Sequence, residues 1–146
     1  MIHITKAEKK HYDAILRLLK ENNLPVSDLK EEKFQHFIVA EEADEVIGCV
    51  GLEVFDQNAL LRSLSVKPSR QNNGLGSQLY DKIVEYARSI NISNLHLLTT
   101  TAEPFFLKKG FIVDKRANAP IQILHTEEFK TICGSTSTYM RLKISR

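Results

Sequence analysis

At 146 residues the chain is about one domain long, enough to bury a sizeable core without metal or disulfides. Its 42% hydrophobic and 26% charged residues are those of an ordinary globular protein, and a formal charge of +2 makes no electrostatic case for nucleic acid or a membrane as partner. Two cysteines, Cys49 in an apolar stretch and Cys133 near the end, form neither a disulfide framework nor a zinc site, which suits a reducing cytoplasm. Lys6, Glu8, Lys9 and Lys10 interrupt the N-terminus, so no signal peptide is read there. No apolar run approaches the roughly 20 residues of a membrane span. With no repeat, low-complexity tract or linker, residues 1–146 are read as a single domain.

Ile2 to Ile4 predicts a short strand. Thr5 and Glu8 then have capping-box spacing, and a helix is expected to about Lys20, with Tyr12, Ile15, Leu16, Leu18 and Leu19 on its apolar face. Asn22, Asn23 and Pro25 end it. Ser27 to Phe34 predicts a second, short helix capped by Ser27. Phe37 to Glu41, Val46 to Phe55 and Ala59 to Val66 read as three successive antiparallel strands. The second of these is apolar on both faces and is expected to be central, with helices on both sides. If Gln57 and Asn58 form a two-residue hairpin loop, Glu53 lies opposite Arg62; a one-residue change of loop length separates their faces.

Leu75, Leu79, Ile83, Ala87 and Ile90 recur at helical spacing. Asn94 to Leu98 predicts a strand. Ala102 to Lys109 predicts a short helix, with Pro104 in its permitted first turn and Gly110 as a left-handed stop. Phe111 to Asp114 is a strand, Pro120 to Leu124 and Glu127 to Ile132 are helical turns, and Thr136 to Ile144 is the last strand.

The stretch Val66 to Ser77 joins a strand to a helix through Gly74 and Gly76. Such a junction offers unpaired backbone N–H groups and the positive end of the helix dipole, a seat for phosphate oxygens. A P-loop needs Lys then Ser or Thr after its last glycine, and here Ser77 and Gln78 follow Gly76. A dinucleotide fingerprint needs a third glycine where Leu79 stands. What remains is Gln71-Asn72-Asn73-Gly74-Leu75-Gly76, which resembles the Arg/Gln-x-x-Gly-x-Gly/Ala signature of the GCN5-related N-acetyltransferase (GNAT) superfamily. A second stretch, Ala102-Glu103-Pro104-Phe105-Phe106-Leu107-Lys108-Lys109-Gly110-Phe111, resembles that superfamily's Ala-x-x-x-Tyr-x-Lys-x-Gly-Phe pattern. More narrowly, Gly51-Leu52-Glu53, Leu60 to Leu64, Leu98 to Glu103, Phe105-Phe106 and Glu128-Phe129 with Cys133 resemble the arsenic-resistance-associated acetyltransferases, themselves similar to bacterial amino-acid acetyltransferases of the N-acetylglutamate synthase type.

The resemblance implies a mixed α/β fold: a mostly antiparallel sheet of about seven strands flanked by helices, splayed between the fourth and fifth strands. It implies acetyl-CoA as co-substrate. Backbone groups of Leu64, Ser65 and Val66 are then expected along the pantetheine, and Gln71, Asn72, Asn73, Gly74, Leu75, Gly76 and Ser77 around the pyrophosphate. Arg70 or Lys108 is expected to reach the 3′-phosphate, or else is solvated surface charge. Phe106 stands at the cofactor where many members carry a tyrosine that protonates the thiolate, leaving that task to Thr101, water or solvent. The N–H near Val66 is the expected oxyanion donor. For the general base, Glu53 interrupts an apolar strand and is the first candidate, unless it serves as an ion-pair partner of Arg62; His96 is the second. Arg62 needs an anion. If Glu53 does not supply one, a substrate carboxylate would, which predicts an amino-acid-like acceptor. Three functions stand side by side: an N-acetyltransferase for a small amine, one for a protein N-terminus or lysine, and a non-catalytic acyl-CoA sensor. Family members are often homodimers.

Overall fold

The computed structural model describes residues 1–132 and 136–145. Its elements run β1 (Ile2–Lys6), α1 (Tyr12–Glu21), β2 (Phe37–Glu42), β3 (Glu45–Phe55), β4 (Asn58–Val66), α2 (Leu75–Ser89), β5 (Asn94–Thr99), α3 (Glu103–Lys108), β6 (Ile112–Asp114), α4 (Ile121–Leu124) and β7 (Thr138–Lys143). The strands form a seven-stranded sheet in the order β1-β2-β3-β4-β5-β7-β6. Pairing is antiparallel for β1 with β2, β2 with β3, and β7 with both β5 and β6, whereas β4 and β5 run parallel. That parallel ladder pairs Asn58–Leu60 with Asn94–His96. This is the mixed α/β sheet the sequence predicts. No helix among the described residues is long and apolar enough to cross a membrane.

The chain divides into two compact units interleaved in sequence: Met1–Glu53 with Arg62–Tyr86, and Val54–Leu61 with Ala87–Arg146. In the first unit, β3 is buried from Ile47 to Glu53 because both faces are covered. Ile15, Leu18 and Leu19 of α1 pack with Phe37, Val39 and Cys49 on one face. On the other face α2 closes on Gly48, where an added Cβ would lie 2.7 Å from Leu79 Cδ1 and 3.2 Å from the Ser65 carbonyl oxygen. A central strand that bears a charge therefore bears it in the dry interior. Burial pushes the Cys49 thiol up to about 12, and its Sγ lies 3.3 Å from the Ser63 carbonyl oxygen it donates to. Cys133 lies outside the described residues.

The second unit has its own core, in which Leu60, Ala119, Ile123, Phe129 and Tyr139 gather beneath β5 and β7. Gly110 ends α3 in the left-handed region at φ 98°, as expected. Phe106 is buried, its ring edge-on to Phe105 at 5.1 Å and to Phe111 at 5.4 Å.

Three local expectations are corrected. Thr5 and Lys6 do not begin a helix; they complete β1, paired with Val39 and Ile38 of β2. The capping box sits one turn later, between Glu8 and His11, ahead of a 3-10 turn at Lys9–His11 that feeds α1. Sheet pairing here overrides a local cap. Nor does Ser27 cap a helix. Val26 to Leu29 is a turn closed by Leu29 N–H to the Val26 carbonyl at 2.9 Å, and a 3-10 helix follows only at Glu31–His36. Finally, the β3–β4 loop is Asp56 and Gln57, with Asp56 left-handed at φ 55°. Moving the loop back by one residue changes the cross-strand count by two, an even number, so Glu53 and Arg62 keep a common face.

Candidate active site

β4 ends as Lys67 N–H donates to the Ile47 carbonyl of β3 at 2.8 Å. Because successive peptide groups alternate along a strand, the Val66 N–H points away from β3. A 3-10 turn at Pro68–Arg70 then lifts the chain off the sheet, and Gln71 to Gly74 are exposed. Asn72 and Gly74 are left-handed, at φ 68° and 83°. The first hydrogen bond of α2 is Gln78 N–H to the Gly74 carbonyl at 3.1 Å, so the N–H groups of Leu75 and Gly76 precede the helical ladder. A Cβ on Gly74 would meet nothing within 4 Å, and one on Gly76 only Val66 Cγ2 at 3.9 Å. The loop is therefore open to solvent beside its two glycines, with the positive end of a helix of 15 residues at its base.

The Val66 carbonyl is already held. It accepts from Asn22 Nδ2 at 2.9 Å and from Gln71 Nε2 at 3.0 Å, and the same Asn22 amide reaches the buried Ser65 hydroxyl. Arg70 is paired with Glu42, and Lys67 with Glu45 at 2.6 Å. Both cations thus border the loop while anchored to the β2–β3 hairpin.

Arg62 has no exposed side-chain surface. Its guanidinium forks onto Asp28, Nη1 to Oδ2 at 2.5 Å and Nη2 to Oδ1 at 2.9 Å, and Nη1 also donates to Glu53 Oε2 at 2.8 Å. Nε donates to Ser63 Oγ at 3.1 Å. Lys33 completes the group, its Nζ 2.9 Å from Glu53 Oε1 and 3.6 Å from Asp28 Oδ2. Burial by itself would raise the Asp28 carboxyl, yet the hydrogen bonds and charge of Arg62, with the charge of Lys33, hold it below the usual carboxylate range. Burial likewise works to lower Lys33, and Glu53 and Asp28 together raise it above the usual lysine value. The cluster thus brings two acidic and two basic side chains together. Glu53 therefore does pair with Arg62, and the condition for a vacant guanidinium is not met: Asp28 takes the fork.

In the second unit, His96 is buried on β5 with both ring nitrogens engaged, Nδ1 with Tyr139 Oη at 2.7 Å and Nε2 with Asn58 Oδ1 at 2.8 Å. The Asn58 oxygen can only accept, so Nε2 carries the proton and Nδ1 takes the Tyr139 hydroxyl. Burial and then the charge of Arg141 push the imidazole down to about 4. This is a neutral, packed histidine rather than a poised base. An unfolded histidine titrates near 6.5, so between that value and about 4 the unfolded chain binds more protons and stability declines as pH falls. Melting temperature is expected to drop across this window, and His96→Gln to flatten it; an unchanged slope would place the acid sensitivity elsewhere. Thr101 and Lys108 are exposed.

A family model described as an acetyltransferase (GNAT) domain matches residues 33–113, more than half of the chain. The chain belongs to the GNAT family. Among curated relatives, the amino-acid acetyltransferase of Neisseria meningitidis serogroup A is 30% identical over 106 residues, which are 69% of this chain and 24% of that protein. The amino-acid acetyltransferase of Ralstonia nicotianae is 31% identical over 86 residues, 58% of this chain and 19% of that protein. This GNAT chain thus spans about a quarter or less of the length of those relatives. Among solved structures, N-acetylglutamate synthase from Neisseria gonorrhoeae, complexed with coenzyme A and N-acetyl-glutamate, superposes with a TM-score of 0.86 at 23% identity, over 100% of this chain and 36% of that one. The PaiA N-acetyltransferase of Thermoplasma acidophilum, in complex with coenzyme A, gives 0.72 at 16% identity, over 98% and 99%. The seven-stranded mixed sheet agrees with these likenesses. Sequence reasoning missed Asp28, Lys33 and Asn22. For Asp28 the only available signal was a carboxylate in a turn ahead of a strand arginine that needed an anion.

Proposed function

We propose that this chain is an acetyl-CoA-dependent N-acetyltransferase that passes acetyl directly to the amine of a small, amino-acid-like acceptor, with the whole chain serving as one catalytic domain. The observation that carries this reading is the exposed Gly74 turn, where the amides of Leu75 and Gly76 precede the helical ladder and a Cβ on Gly74 would meet nothing within 4 Å. The N–H groups of Leu75 and Gly76, with Ser77 beside them, would hold the diphosphate of the coenzyme. The Val66 N–H would meet the oxyanion as the amine nitrogen bonds to the thioester carbon. The carbon–sulfur bond then breaks, leaving an acetamide and a thiolate that is protonated by Thr101, water or solvent, as its ordinary pKa of about 8.5 permits. Glu53, acting through water, would first take a proton from the acceptor's ammonium, so that the neutral amine is what attacks. Because the Val66 carbonyl already has two donors and its N–H faces the oxyanion, pantetheine contacts are assigned to the backbone of Leu64 and Ser65. Arg70 or Lys108 would meet the 3′-phosphate. The amino-acid-like acceptor rests on the names of the curated relatives.

The test is thermal. Acetyl-CoA at about a hundred times its dissociation constant is expected to stabilise the chain by about 2.7 kcal/mol, and thiol release is then expected to depend on an amine acceptor. No stabilisation by acetyl-CoA would overturn the proposal. Phe106 favours a second reading: an aromatic without a hydroxyl leaves that position no proton to give, as suits an acyl-CoA sensor. Binding without acceptor-dependent thiol release would establish it.

A further inference from the structure

The Arg62 cluster has a geometry that neither ion pairing nor core packing demands. Arg62 and Glu53 lie on β4 and β3, fixed by the sheet. Their partners come from outside it, Asp28 from the tip of the Val26–Leu29 turn and Lys33 from the 3-10 helix that follows. The guanidinium receives a carboxylate in bidentate fashion, and the Glu53 carboxylate receives an ammonium. Between these two guests, Lys33 Nζ and Asp28 Oδ2 are 3.6 Å apart. In a free α-amino acid the nitrogen and a carboxylate oxygen are about 3 Å apart, as ordinary bond lengths dictate. Asp28 and Lys33 therefore present to the strands what a zwitterion would present. The four charges are also not equally sealed: Asp28 and Glu53 side chains are 4% and 8% exposed, whereas Lys33 is 28% exposed and forms the wall toward solvent.

We propose that Asp28 and Lys33 are a built-in stand-in for the acceptor, Asp28 filling the seat of its carboxylate on Arg62 and Lys33 the seat of its amine on Glu53. An incoming amino acid displaces both by side-chain rotation, with the turn held at Leu29, which is buried in the core. The pair thereby keeps two strand charges compensated while the site is empty and sets acceptor selectivity when it fills. This rests on the acetyltransferase reading above and deepens it: the acceptor class is a zwitterion with adjacent ammonium and carboxylate groups.

The experiment pairs Asp28→Asn and Lys33→Met with acceptors that differ only in the carboxylate, a set of L-amino acids and their α-amides, at saturating acetyl-CoA. A competitor that holds its seat about ten to one raises the apparent KM about tenfold. Asp28→Asn is expected to lower the KM for the acids toward that factor and leave the amides unchanged, whereas Lys33→Met lowers it for acids and amides alike. Acids and amides shifting together in Asp28→Asn, or no KM falling in either variant, overturns the proposal. A second readout needs no turnover: sodium acetate, compared with sodium chloride at equal ionic strength, is expected to raise the melting temperature of Asp28→Gly but not of the wild-type chain, and equal responses count against the seat. If acetyl-CoA still stabilises both variants while these shifts are absent, the stand-in fails and the acetyltransferase reading survives.

Discussion

Arg62→Ala is expected to be the most destabilising single substitution in this chain, lowering stability by about 3–5 kcal/mol, a large part of the roughly 5–15 kcal/mol that holds a domain together. The guanidinium is fully buried and is the principal counter-charge for two carboxylates that are themselves nearly sealed. Its removal leaves Asp28 and Glu53 facing each other with only Lys33 between them. Part of the loss can be recovered by protonating one carboxylate, so the deficit should shrink as pH is lowered toward the carboxylate range. Lys67→Ala is the control. Its pair with Glu45 is closer to solvent, and such pairs are worth about 0–1 kcal/mol. Urea midpoints for the two variants decide the matter; similar small losses would mean that the buried cluster contributes no more than a surface pair. Arg62→Met separates charge from volume, since an apolar group of similar length still leaves the two carboxylates uncompensated.

The second large effect is expected at Gly74, on ligand binding rather than on the fold. The residue is left-handed at φ 83°, where an L side chain costs roughly 1–2 kcal/mol, and the space beside it is open. Gly74→Ala should therefore leave a folded chain with a modestly lower melting temperature. If the diphosphate sits on the amides of Leu75 and Gly76 as proposed, the added methyl stands in its approach, and stabilisation by acetyl-CoA is expected to be largely lost, with the KM for acetyl-CoA raised by at least about tenfold, or about 1.4 kcal/mol. Gly74→Asn divides the two causes. Asparagine tolerates left-handed backbone better than alanine but is bulkier. Occlusion makes it the worse binder of the two, whereas strain makes it the better.

The glycine turn was legible in the sequence because everything it needs is local: a strand that stops, a turn, and a helix whose apolar period begins at Leu75. The sheet was legible for a similar reason, since the double-sided apolar run through Ile47 to Leu52 marks a central strand and short turns join its neighbours. Ala43 and Asp44, both left-handed at φ 51° and 63°, close one such hairpin in two residues. The companion of Arg62 was half legible. Glu53 is nine residues away across a hairpin, but Asp28 is 34 residues away on a turn whose direction depends on how α1 and the 3-10 helix pack. Asn22 is 44 residues from the carbonyl it holds, and nothing in an Asn-Asn pair ending a helix distinguishes an amide aimed at Val66 from one aimed at solvent. The misplaced capping box has a different origin. Thr5 and Glu8 have the spacing of a cap, but hydrogen bonding of Lys6 against Ile38 outweighs what a single cap supplies. His96 illustrates a further limit, because a strand histidine reads the same whether its ring is free to exchange protons or is clasped by Tyr139 and Asn58.

Gly48 sets a mechanical condition on all of this. Because residue 48 has no side chain, the Leu79 and Leu75 side chains of α2 settle onto the backbone of β3, 2.7 Å and 3.5 Å from where a Cβ would stand. The first two turns of α2, at Leu75 and Leu79, are thereby seated on β3 beside the amides of Leu75 and Gly76. A carbon added at residue 48 would press on the Leu79 side chain and on the Ser65 carbonyl, so Leu79 must turn aside or the helix must lift. Residues along the outer flank of the same helix, such as Asp81, Lys82 and Glu85, can be exchanged without disturbing that alignment.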